Sequence, residues 1–512
     1  MKNYKYIGLF LLSLGVISCD VNNDLDPILE EAEPVVQLNT NGLDFSSYVS
    51  IGASFTAGFT DNALFIKGQE NSFPNILAGK FGTDFSQPLM NDNIGGLLFG
   101  GNVIQGPRLY FNGAGPTPLQ ATPTTEVTNS VSGNLNNFGI PGAKSFHFVA
   151  EGYGNVQGVP LGLANPYFAR MASSSNATVL GDAMAQNPTF FTLSEIGGND
   201  VLGYALSGGS GVDQTGNLNP ATYGSSDITD PNVFASVFSN MVTALTSGGA
   251  KGVIANVPYI TNLAHFITVP YNPVPLDSGT AAQLNSQLLG PVIQILTALG
   301  QPDRIALLEA SSSNKLLLRD ENLVDFSAQI SGALQQAGVP AAQAQLMGSL
   351  YGQARHATSA DLFVLPLSSA IGTAQPGIPA PFNTVGVTYP LEDKWAITPE
   401  EQLAIKTATD AYNTTIAAVA SANPNVALVD FKGLLEQSAS GIAFDQYTLT
   451  TSLVTGGLIS LDGVHLTGRG YALMANKIMA AMDTKFGSNF TTATNGLAKA
   501  DDHPTNYSPA LR

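Results

Sequence analysis

Three residues that lie far apart in this sequence have the types and spacing needed to activate a hydroxyl group. Ser54 follows an apolar run, residues 48–51, that stops at Gly52. Asp462 and His465 are three residues apart in a glycine-containing segment near the other end of the chain. In a tight turn, such a carboxylate reaches the imidazole Nδ1–H and fixes the tautomer whose Nε2 accepts a proton from a nucleophile. The pattern therefore predicts nucleophilic chemistry if the fold brings the two segments together.

Two further motifs lie between these segments. Residues 137–142 read Asn-Phe-Gly-Ile-Pro-Gly, where a short strand is expected to end near Phe138 and a helix to begin near Gly142. Residues 197–200 read Gly-Gly-Asn-Asp and follow a β-rich run, residues 189–196. Taken singly, each motif has an ordinary explanation, because serine, asparagine and aspartate commonly cap a helix that follows a strand. Their order along the chain, each near the end of a predicted strand, makes coincidence remote.

The elements that must position these motifs alternate between strands and helices. Buried strands are predicted at 48–51, 189–196, 252–257 and 426–430, and helices at 71–81, 233–245, 398–420 and 466–482. This alternation predicts an α/β fold with a doubly wound parallel sheet. In open sheets of this class ligands bind at the carboxyl ends of the strands, which is where the motifs are expected.

The four motifs together resemble those of the SGNH family, also called GDSL esterases and lipases. The resemblance implies a flavodoxin-like doubly wound sheet in a three-layer sandwich. It implies that Ser54 is the nucleophile of an ester hydrolase, that His465 is its base and that Asp462 orients the histidine. The chemistry of this family requires no cofactor, and the sequence contains no cluster with metal-ligand spacing.

The same resemblance implies an oxyanion hole. Its donors would be the backbone N–H groups of Ser54 and Gly142 and the side-chain amide of Asn199. Gly139 competes for the second of these positions, but the family's glycine lies several residues after the asparagine of its motif, which favours Gly142. A neutral donor fixed where negative charge develops is typically worth about 3 kcal/mol in the transition state.

The sequence departs from the family pattern in several places. Ala53 stands where the family usually has aspartate, and Leu466 stands where proline often follows the histidine. Thr56 replaces the second glycine of the Gly-x-Ser-x-Gly turn of α/β-hydrolases, which argues against that fold. The Ala53 change is expected to alter how the serine loop is held, and neither family departure removes a group that carries the proton or the oxyanion.

Two regions have weak patterns. The Gly- and Pro-rich residues 82–130 show little periodicity, are long for a plain loop and are expected to form one wall of a cleft. Residues 258–389 exceed what a minimal family member needs and are interpreted as an inserted cap or side lobe. Within it, helices are expected around 281–299 and 323–353, and strands near 305–308 and 362–365. Its two histidines, His265 and His356, lack metal-ligand spacing and are interpreted as local hydrogen-bonding residues.

The amino terminus resembles a bacterial lipoprotein signal. Two lysines precede an apolar run at 7–17, which is too short to span a membrane and leads to Cys19, the chain's single cysteine. Residues 1–18 are therefore predicted to be a signal peptide, with acylated Cys19 as the membrane anchor and residues 19–41 as an acidic tether. Acidic residues after the cysteine are similar to export tags of Bacteroidetes-type bacteria, which predicts the outer membrane, with the external face as a hypothesis.

Composition limits the partners. The chain of 512 residues has a formal net charge of −18, which makes a nucleic-acid partner improbable. Hydrophobic residues make up 44% of the chain and charged ones 11%, which favours a folded, core-forming protein. The predicted hydrolase domain comprises residues 42–257 and 390–486 on either side of the insertion, and residues 487–512 form a polar tail.

Several functions remain open at this point. The first is a lipid-anchored esterase or lipase, whose substrate is an acyl or lipid ester. The same residues would serve a carbohydrate O-acetyl esterase, although Trp395 is the only tryptophan available for sugar stacking. A third reading is a lipoprotein of slow or no turnover that binds or transports lipid beside an outer-membrane protein partner.

Overall fold

Five strands of largely apolar sequence form one parallel sheet at the centre of the fold. In chain order they are β1 (Tyr48–Gly52), β2 (Asn137–Gly139), β3 (Phe190–Ser194), β4 (Lys251–Ala255) and β5 (Val426–Val429). All residues of β1, β2 and β3 are buried, as expected for parallel strands covered on both faces. The strands lie in the order β2, β1, β3, β4, β5. The predicted α/β class with a parallel sheet is confirmed.

This order places a topological switch point at β1. The chain passes from β1 to β2 on one side and then to β3 on the other, so the loops after β1 and β3 diverge and leave a crevice. The register aligns the strand ends there, since Gly52 pairs with both Gly139 and Ser194. The segments that follow β1, β2 and β3 therefore begin at the same edge of the sheet.

The structure, a computed structural model, describes residues 35–512. The predicted signal peptide, Cys19 and most of the predicted tether lie outside the described residues. Residues 38–512 form one compact unit. Among the helices of the described residues, none is long and apolar enough to span a membrane.

Helices connect and cover the strands. Those of eight or more residues are α1 (Phe73–Phe81), α2 (Asn199–Leu206), α3 (Pro231–Thr246), α4 (Gly290–Ala298), α5 (Ser327–Gln336), α6 (Ala341–Tyr351), α7 (Pro399–Ala422), α8 (Phe431–Ser438) and α9 (Gly468–Phe486). Shorter α-helices are Ser54–Ala57, Ile66–Glu70, Pro166–Ala169, Val179–Met184, Ala264–Ile267 and Ser278–Leu284. Helix α9 packs on α1 and α7 packs on α2 and α3, and both α7 and α9 contact β5.

Local sequence explains where the helices begin. The Ser72 hydroxyl accepts a hydrogen bond from the Asn75 N–H at the start of α1, and Pro74 occupies the first turn. Thr398 and Glu401 form a reciprocal capping box at the start of α7. The helices predicted at 71–81, 233–245, 398–420 and 466–482 are confirmed, with ends that differ by at most four residues.

Residues 82–130 contain more structure than the sequence indicates. Strands Leu97–Phe99 and Asn102–Gln105 form one antiparallel hairpin, and strands Leu109–Phe111 and Pro116–Pro118 form another. The sequence shows little periodicity there because strands of three or four residues are too short for a clear alternation. None of these residues lines the large apolar pocket described below.

Helices are the main regular elements of the predicted insertion. Residues 278–298 form a continuous helical run with a π-helical turn at Asn285–Leu289, and α5 and α6 occupy the range predicted as 323–353. The strand predicted at 305–308 is wrong, because side chains of His356 and Asn285 accept the hydrogen bonds of Ala306 N–H and Leu308 N–H. Two short antiparallel ladders are present instead: Leu317–Arg319 pairs with Ala354–His356, and Leu362–Phe363 pairs with Ala396–Ile397.

The segment predicted to be a polar tail packs against the rest of the fold. Phe490 is fully buried, and Tyr507 is 7% exposed. The buried guanidinium of Arg108 donates hydrogen bonds to the backbone carbonyls of Tyr507, Ser508 and Leu511. The last residues of the chain are therefore part of the folded unit.

Candidate active site

Ser54 stands at the carboxyl edge of the sheet, where β1 turns directly into the helix Ser54–Ala57. This turn requires glycine at position 52, because a Cβ there would lie 2.2 Å from Thr56 Oγ1 and 2.5 Å from the Ser194 carbonyl oxygen. Ser54 itself is 9% exposed and lines an apolar pocket. Within residues 35–512, its hydroxyl forms no hydrogen bond with another side chain.

Glu195 holds the serine turn in place. Its Oε2 accepts the Phe55 N–H at 2.7 Å, and its Oε1 accepts both the Thr56 N–H and the Thr56 hydroxyl at 2.8 Å. The carboxylate thus satisfies donors at the start of the helix that begins at Ser54. Burial raises the pKa of Glu195 to about 7, although these hydrogen bonds oppose the rise.

The sequence analysis assigned no function to Glu195. Its position immediately after β3 was the available signal, because a residue there faces the same edge as Ser54. Glu195 adopts a positive φ of 60°, which turns the chain sharply at that edge. With alanine at position 53, Glu195 supplies the carboxylate beside the serine turn.

Asp462 and His465 make the contact that their spacing predicts. Asp462 Oδ2 lies 3.0 Å from His465 Nδ1, while Oδ1 accepts the backbone N–H groups of Val464 and His465, each at 2.8 Å. Burial would raise the pKa of Asp462, but His465 and these hydrogen bonds hold it well below its usual range. The aspartate is therefore an anion that leaves the histidine Nε2 available.

Residues 59–62 connect the serine turn to this aspartate. The Asn62 N–H donates to Asp462 Oδ2 at 2.7 Å. Asp61 accepts the Leu461 N–H through Oδ1 at 3.0 Å, and its own N–H donates to the Ser460 hydroxyl. Burial, together with the charge of Asp462, raises the pKa of Asp61 to about 7. Segments 400 residues apart are thus hydrogen-bonded to each other.

Aromatic side chains fix the histidine ring. The ring of Phe59 lies 4.6 Å from that of His465, and Phe55 lies 5.7 Å away, measured between ring centroids. Phe55 directly follows Ser54, and the Phe59 N–H donates to the Ser54 carbonyl at 2.9 Å. The imidazole therefore packs on the two ends of the turn that holds the serine.

His265 also lies against the aspartate loop. Its Nδ1 is 3.2 Å from the Asp462 carbonyl oxygen, and its backbone N–H donates to the Gly463 carbonyl at 2.9 Å. Burial lowers the pKa of His265. The sequence analysis expected a local hydrogen-bonding role, but it did not foresee that this residue supports the loop of Asp462.

Asn199 and Gly142 lie on adjoining segments. Asn199 is the first residue of α2, and its side-chain amide donates to the Ala143 carbonyl at 2.9 Å. Gly142 has a φ of 80°, and the helix expected near it begins later, as a 3₁₀-helix at Ser145. Ser145 donates both its N–H and its hydroxyl to buried Asp200, which joins this segment to α2.

Gly139, the competing oxyanion position, has a packing function. A Cβ at Gly139 would lie 2.2 Å from the Ala57 nitrogen, so glycine is needed where β2 meets the helix Ser54–Ala57. A Cβ at Gly142 would meet no atom within 4 Å. Close packing therefore explains Gly139 but not Gly142.

An apolar pocket opens at the same edge of the sheet. Its polar lining residues are Ser54, Glu195, Asn199 and Asn256. Its walls are otherwise dominated by aliphatic and aromatic residues from α8, α9 and the loops before them. Val464 and Leu466, the neighbours of His465, belong to this lining, whereas Gly142 and His465 do not.

A cluster of carboxylates lies outside this pocket. Glu321, Asp393 and Glu401 each place one carboxylate oxygen within 4.8 Å of the others. The sequence analysis saw no metal-ligand cluster because these residues come from separate segments with no motif-like spacing. Their proximity is a property of the folded chain.

Comparison with known proteins gives no family for this chain. Protein-family models, curated proteins and solved structures were searched, and none of them matches it. The interpretation of the site therefore rests on the geometry of its own residues.

Proposed function

We propose that this protein is a serine hydrolase that cleaves carboxylic esters. The observation that supports this most strongly is the Asp462–His465 pair, which is hydrogen-bonded and attached through residues 59–62 to the turn that holds Ser54. Neither capping nor core packing requires a buried carboxylate to orient an imidazole beside a serine turn. Asp462 and His465 have the relation expected of an orienting acid and a base, and the histidine ring packs on the turn that holds Ser54, the proposed nucleophile.

In the proposed reaction the Ser54 oxygen attacks the ester carbonyl while His465 Nε2 takes its proton. The Asp462 carboxylate stabilises the imidazolium that forms, without itself taking the proton. Collapse of the tetrahedral intermediate breaks the ester bond, and the imidazolium returns the proton to the leaving alcohol. Water then attacks the acyl-enzyme by the same route, which releases the carboxylic acid and regenerates Ser54.

The proposed oxyanion donors are the N–H groups of Ser54 and Gly142 and the Asn199 amide. Asn199 lines the pocket together with Ser54, and its hydrogen bond to Ala143 brings it next to the segment of Gly142. These groups are neutral donors at the edge where the substrate carbonyl would lie.

The fold is consistent with the proposed SGNH relationship. The strand order β2, β1, β3, β4, β5 is the flavodoxin-like order, in which ligands bind at the switch point beside β1. The serine follows β1, and the proposed oxyanion residues follow β2 and β3. The agreement of strand order and residue positions supports a flavodoxin-like hydrolase, and it is independent of any detected relative.

The pocket favours an ester with an apolar acyl group. Leu202, Leu434, Leu458 and Met474 are among the residues that line it, and only four of its lining residues are polar. Each methylene buried against such walls contributes about 0.8 kcal/mol. An acetylated sugar would leave most of this surface without a matching partner, so a lipid or fatty-acyl ester is the proposed substrate class.

The proposal includes attachment of the protein to a membrane. Cys19 would carry the lipid, residues 19–41 would be the tether, and the outer membrane would be the location. An outer-membrane protein partner belongs to the alternative in which the pocket binds lipid without hydrolysis. Phospholipase or esterase activity measured on intact cells, with and without Cys19→Ala, tests whether the anchor places the pocket at a membrane.

The first experiment is hydrolysis of p-nitrophenyl esters from acetate to palmitate. We expect turnover that increases with acyl length, and a loss of roughly 10⁶-fold in kcat for Ser54→Ala, because the nucleophile is removed. Ser46→Ala, which changes an exposed serine on the segment before β1, is the matched control and should retain full activity.

A second measurement separates the alternatives. A fluorophosphonate probe should label the wild type at Ser54 and leave Ser54→Ala unlabelled. A folded wild type that neither hydrolyses any ester nor reacts with the probe would contradict the proposal and favour lipid binding without turnover. Activity confined to acetyl esters would contradict the proposed substrate class.

A further inference from the structure

Three acidic residues from different parts of the fold meet away from the serine edge. Glu321 follows the strand Leu317–Arg319, Asp393 begins a 3₁₀-helix, and Glu401 lies in the first turn of α7. One carboxylate oxygen of each lies within 4.8 Å of the others. We refer to these three residues as the carboxylate cluster.

Glu401 uses only one of its two oxygens within the protein. Its Oε2 accepts the Thr398 N–H at 2.6 Å and the Thr398 hydroxyl at 2.8 Å, which completes the capping box of α7. Its Oε1 is buried and has no hydrogen-bond partner, and the residue as a whole is only 6% exposed. A buried acceptor without a donor costs about 1–3 kcal/mol, and more when it is charged. The capping function therefore explains the position of Oε2 but not the burial of Oε1.

The loop after α2 is shaped around the cluster. A Cβ at Gly209 would lie 2.0 Å from Glu401 Oε1, and a Cβ at Gly208 would lie 1.9 Å from the Asp393 carbonyl oxygen. Both glycines also have positive φ values, 80° and 66°. The loop can therefore approach the cluster closely only because it has no side chains at these two positions.

No basic residue neutralises the cluster within residues 35–512. None of its carboxylates forms an ion pair, since Lys394 pairs with Glu392 instead and Arg319 donates to Gln353. Three carboxyl groups thus converge without a paired cation from the described residues.

We propose that Glu321, Asp393 and Glu401 bind a calcium ion. Ca²⁺ is a hard cation that prefers carboxylate, carbonyl and water oxygens at about 2.3–2.6 Å, so its ligands lie at most about 5 Å apart. The separation of the three carboxylate oxygens fits this limit. The exposed side of Glu321 leaves room for waters to complete the six to eight ligands that Ca²⁺ takes.

The ion would join the insertion to the sheet-covering helices. Glu321 belongs to residues 258–389, whereas Glu401 belongs to α7, which packs on α2 and α3. Binding at these three residues is expected to resist separation of the two segments and so raise the temperature of unfolding. This stabilising function is independent of ester hydrolysis, since no residue of the cluster lines the apolar pocket.

The test is direct metal binding to the full-length protein after treatment with EDTA. Terbium(III) replaces Ca²⁺ in oxygen-ligand sites, and Trp395, two residues after Asp393 and the only tryptophan, serves as the excitation donor. We expect terbium luminescence at one equivalent, displacement of terbium by Ca²⁺, and calorimetric binding of one Ca²⁺ per chain. The thermal midpoint should rise on addition of Ca²⁺ and return with EDTA.

Variants identify the site. Glu321→Gln, at an exposed position, and Glu401→Gln should each weaken Ca²⁺ binding at least tenfold, because each removes a charged ligand. Glu400→Gln changes an exposed neighbour in the same helical turn and should bind as the wild type does. If Glu401→Gln fails to fold, Glu321→Gln still decides the matter.

Three results would overturn the proposal. The first is a wild type that shows neither luminescence nor binding heat at millimolar metal. The second is a Glu321→Gln protein with unchanged affinity. The third, tighter binding of Mg²⁺ than of Ca²⁺, would reject the calcium assignment.

Discussion

The carboxylates of Glu195 and Asp462, beside Ser54, and those of the carboxylate cluster differ in their hydrogen-bond partners. Asp462 accepts four hydrogen bonds and Glu195 accepts three, so both oxygens of each are satisfied. In the cluster, Glu401 Oε1 is buried and has no donor, and the carboxylates of Asp393 and Glu321 accept no hydrogen bond from the described residues. Glu195 and Asp462 thus have donors for both oxygens, whereas the carboxylates of the cluster face one another.

This difference distinguishes two uses of a carboxylate. A carboxylate surrounded by N–H groups is fixed in orientation and can position another group, as Glu195 does for the serine turn and Asp462 does for His465. A carboxylate surrounded by other carboxylates is stabilised by protonation or by a cation from outside the chain. The predictions below test whether Glu195 and Asp462 have the positioning functions that their hydrogen bonds indicate.

Among the carboxylate substitutions, Asp462→Asn is expected to have the largest effect, a loss of kcat. The amide has nearly the same size, but it cannot stabilise the imidazolium and favours the wrong histidine tautomer, so kcat should fall about 10⁴-fold. Calcium affinity should not change, because the cluster lies elsewhere. Steady-state kinetics with Asp303→Asn, an exposed aspartate, gives the control, and a loss below tenfold would remove the distinction between Asp462 and an ordinary loop aspartate.

A smaller effect is expected for Glu195→Ala. The substitution leaves the N–H groups of Phe55 and Thr56 and the Thr56 hydroxyl without their acceptor, and each buried donor costs about 1–3 kcal/mol. The free energy of unfolding in urea should therefore fall by about 4 kcal/mol. Glu321→Ala in EDTA should change it by less than about 0.5 kcal/mol, because that residue is exposed. Equal losses of unfolding free energy in Glu195→Ala and Glu321→Ala would contradict this distinction between the two regions.

The smallest effect concerns pH and Glu195→Gln. The pKa of Glu195 is raised from 4.5 to about 7 in the folded protein, so its contribution to stability is complete below about pH 4.5 and is lost as the pH rises through about 7. Between these pH limits, the free energy of unfolding of the wild type should fall by at most about 3 kcal/mol more than that of Glu195→Gln. Urea unfolding of both proteins from pH 4.5 to 8 in EDTA measures this difference, and Asp61 titrates equally in each. If the unfolding free energies of the two proteins change with pH in parallel, ionisation of Glu195 costs the folded protein little stability and the prediction is wrong.

Periodicity and helix caps predicted the central fold well. The four long apolar runs became β1, β3, β4 and β5, because strands buried on both faces have a continuous signal that depends little on their neighbours. The start of α7 was also predictable, since Thr398, Pro399 and Glu401 form a local capping pattern. Local sequence thus contains most of the information about these elements.

The remaining features depend on long-range contacts. The strand expected at 305–308 is absent because side chains from elsewhere take its backbone donors, and no local pattern reveals them. Asp462 and His465 were predictable as a pair from their spacing, but Glu195, His265 and residues 59–62 support them from distant segments. The carboxylate cluster was equally hidden, because its members share no motif.

The hydrogen bonds between residues 59–62 and 460–465 also have a consequence for biosynthesis. Asn62 leaves the ribosome about 400 residues before its acceptor Asp462, so the serine turn is synthesised long before its partner loop. A nascent or truncated chain contains Ser54 without His465 and has no complete proton-transfer path. Any hydrolytic capacity would therefore arise only after residues 460–465 have been synthesised, which would protect the producing cell from a partly made enzyme.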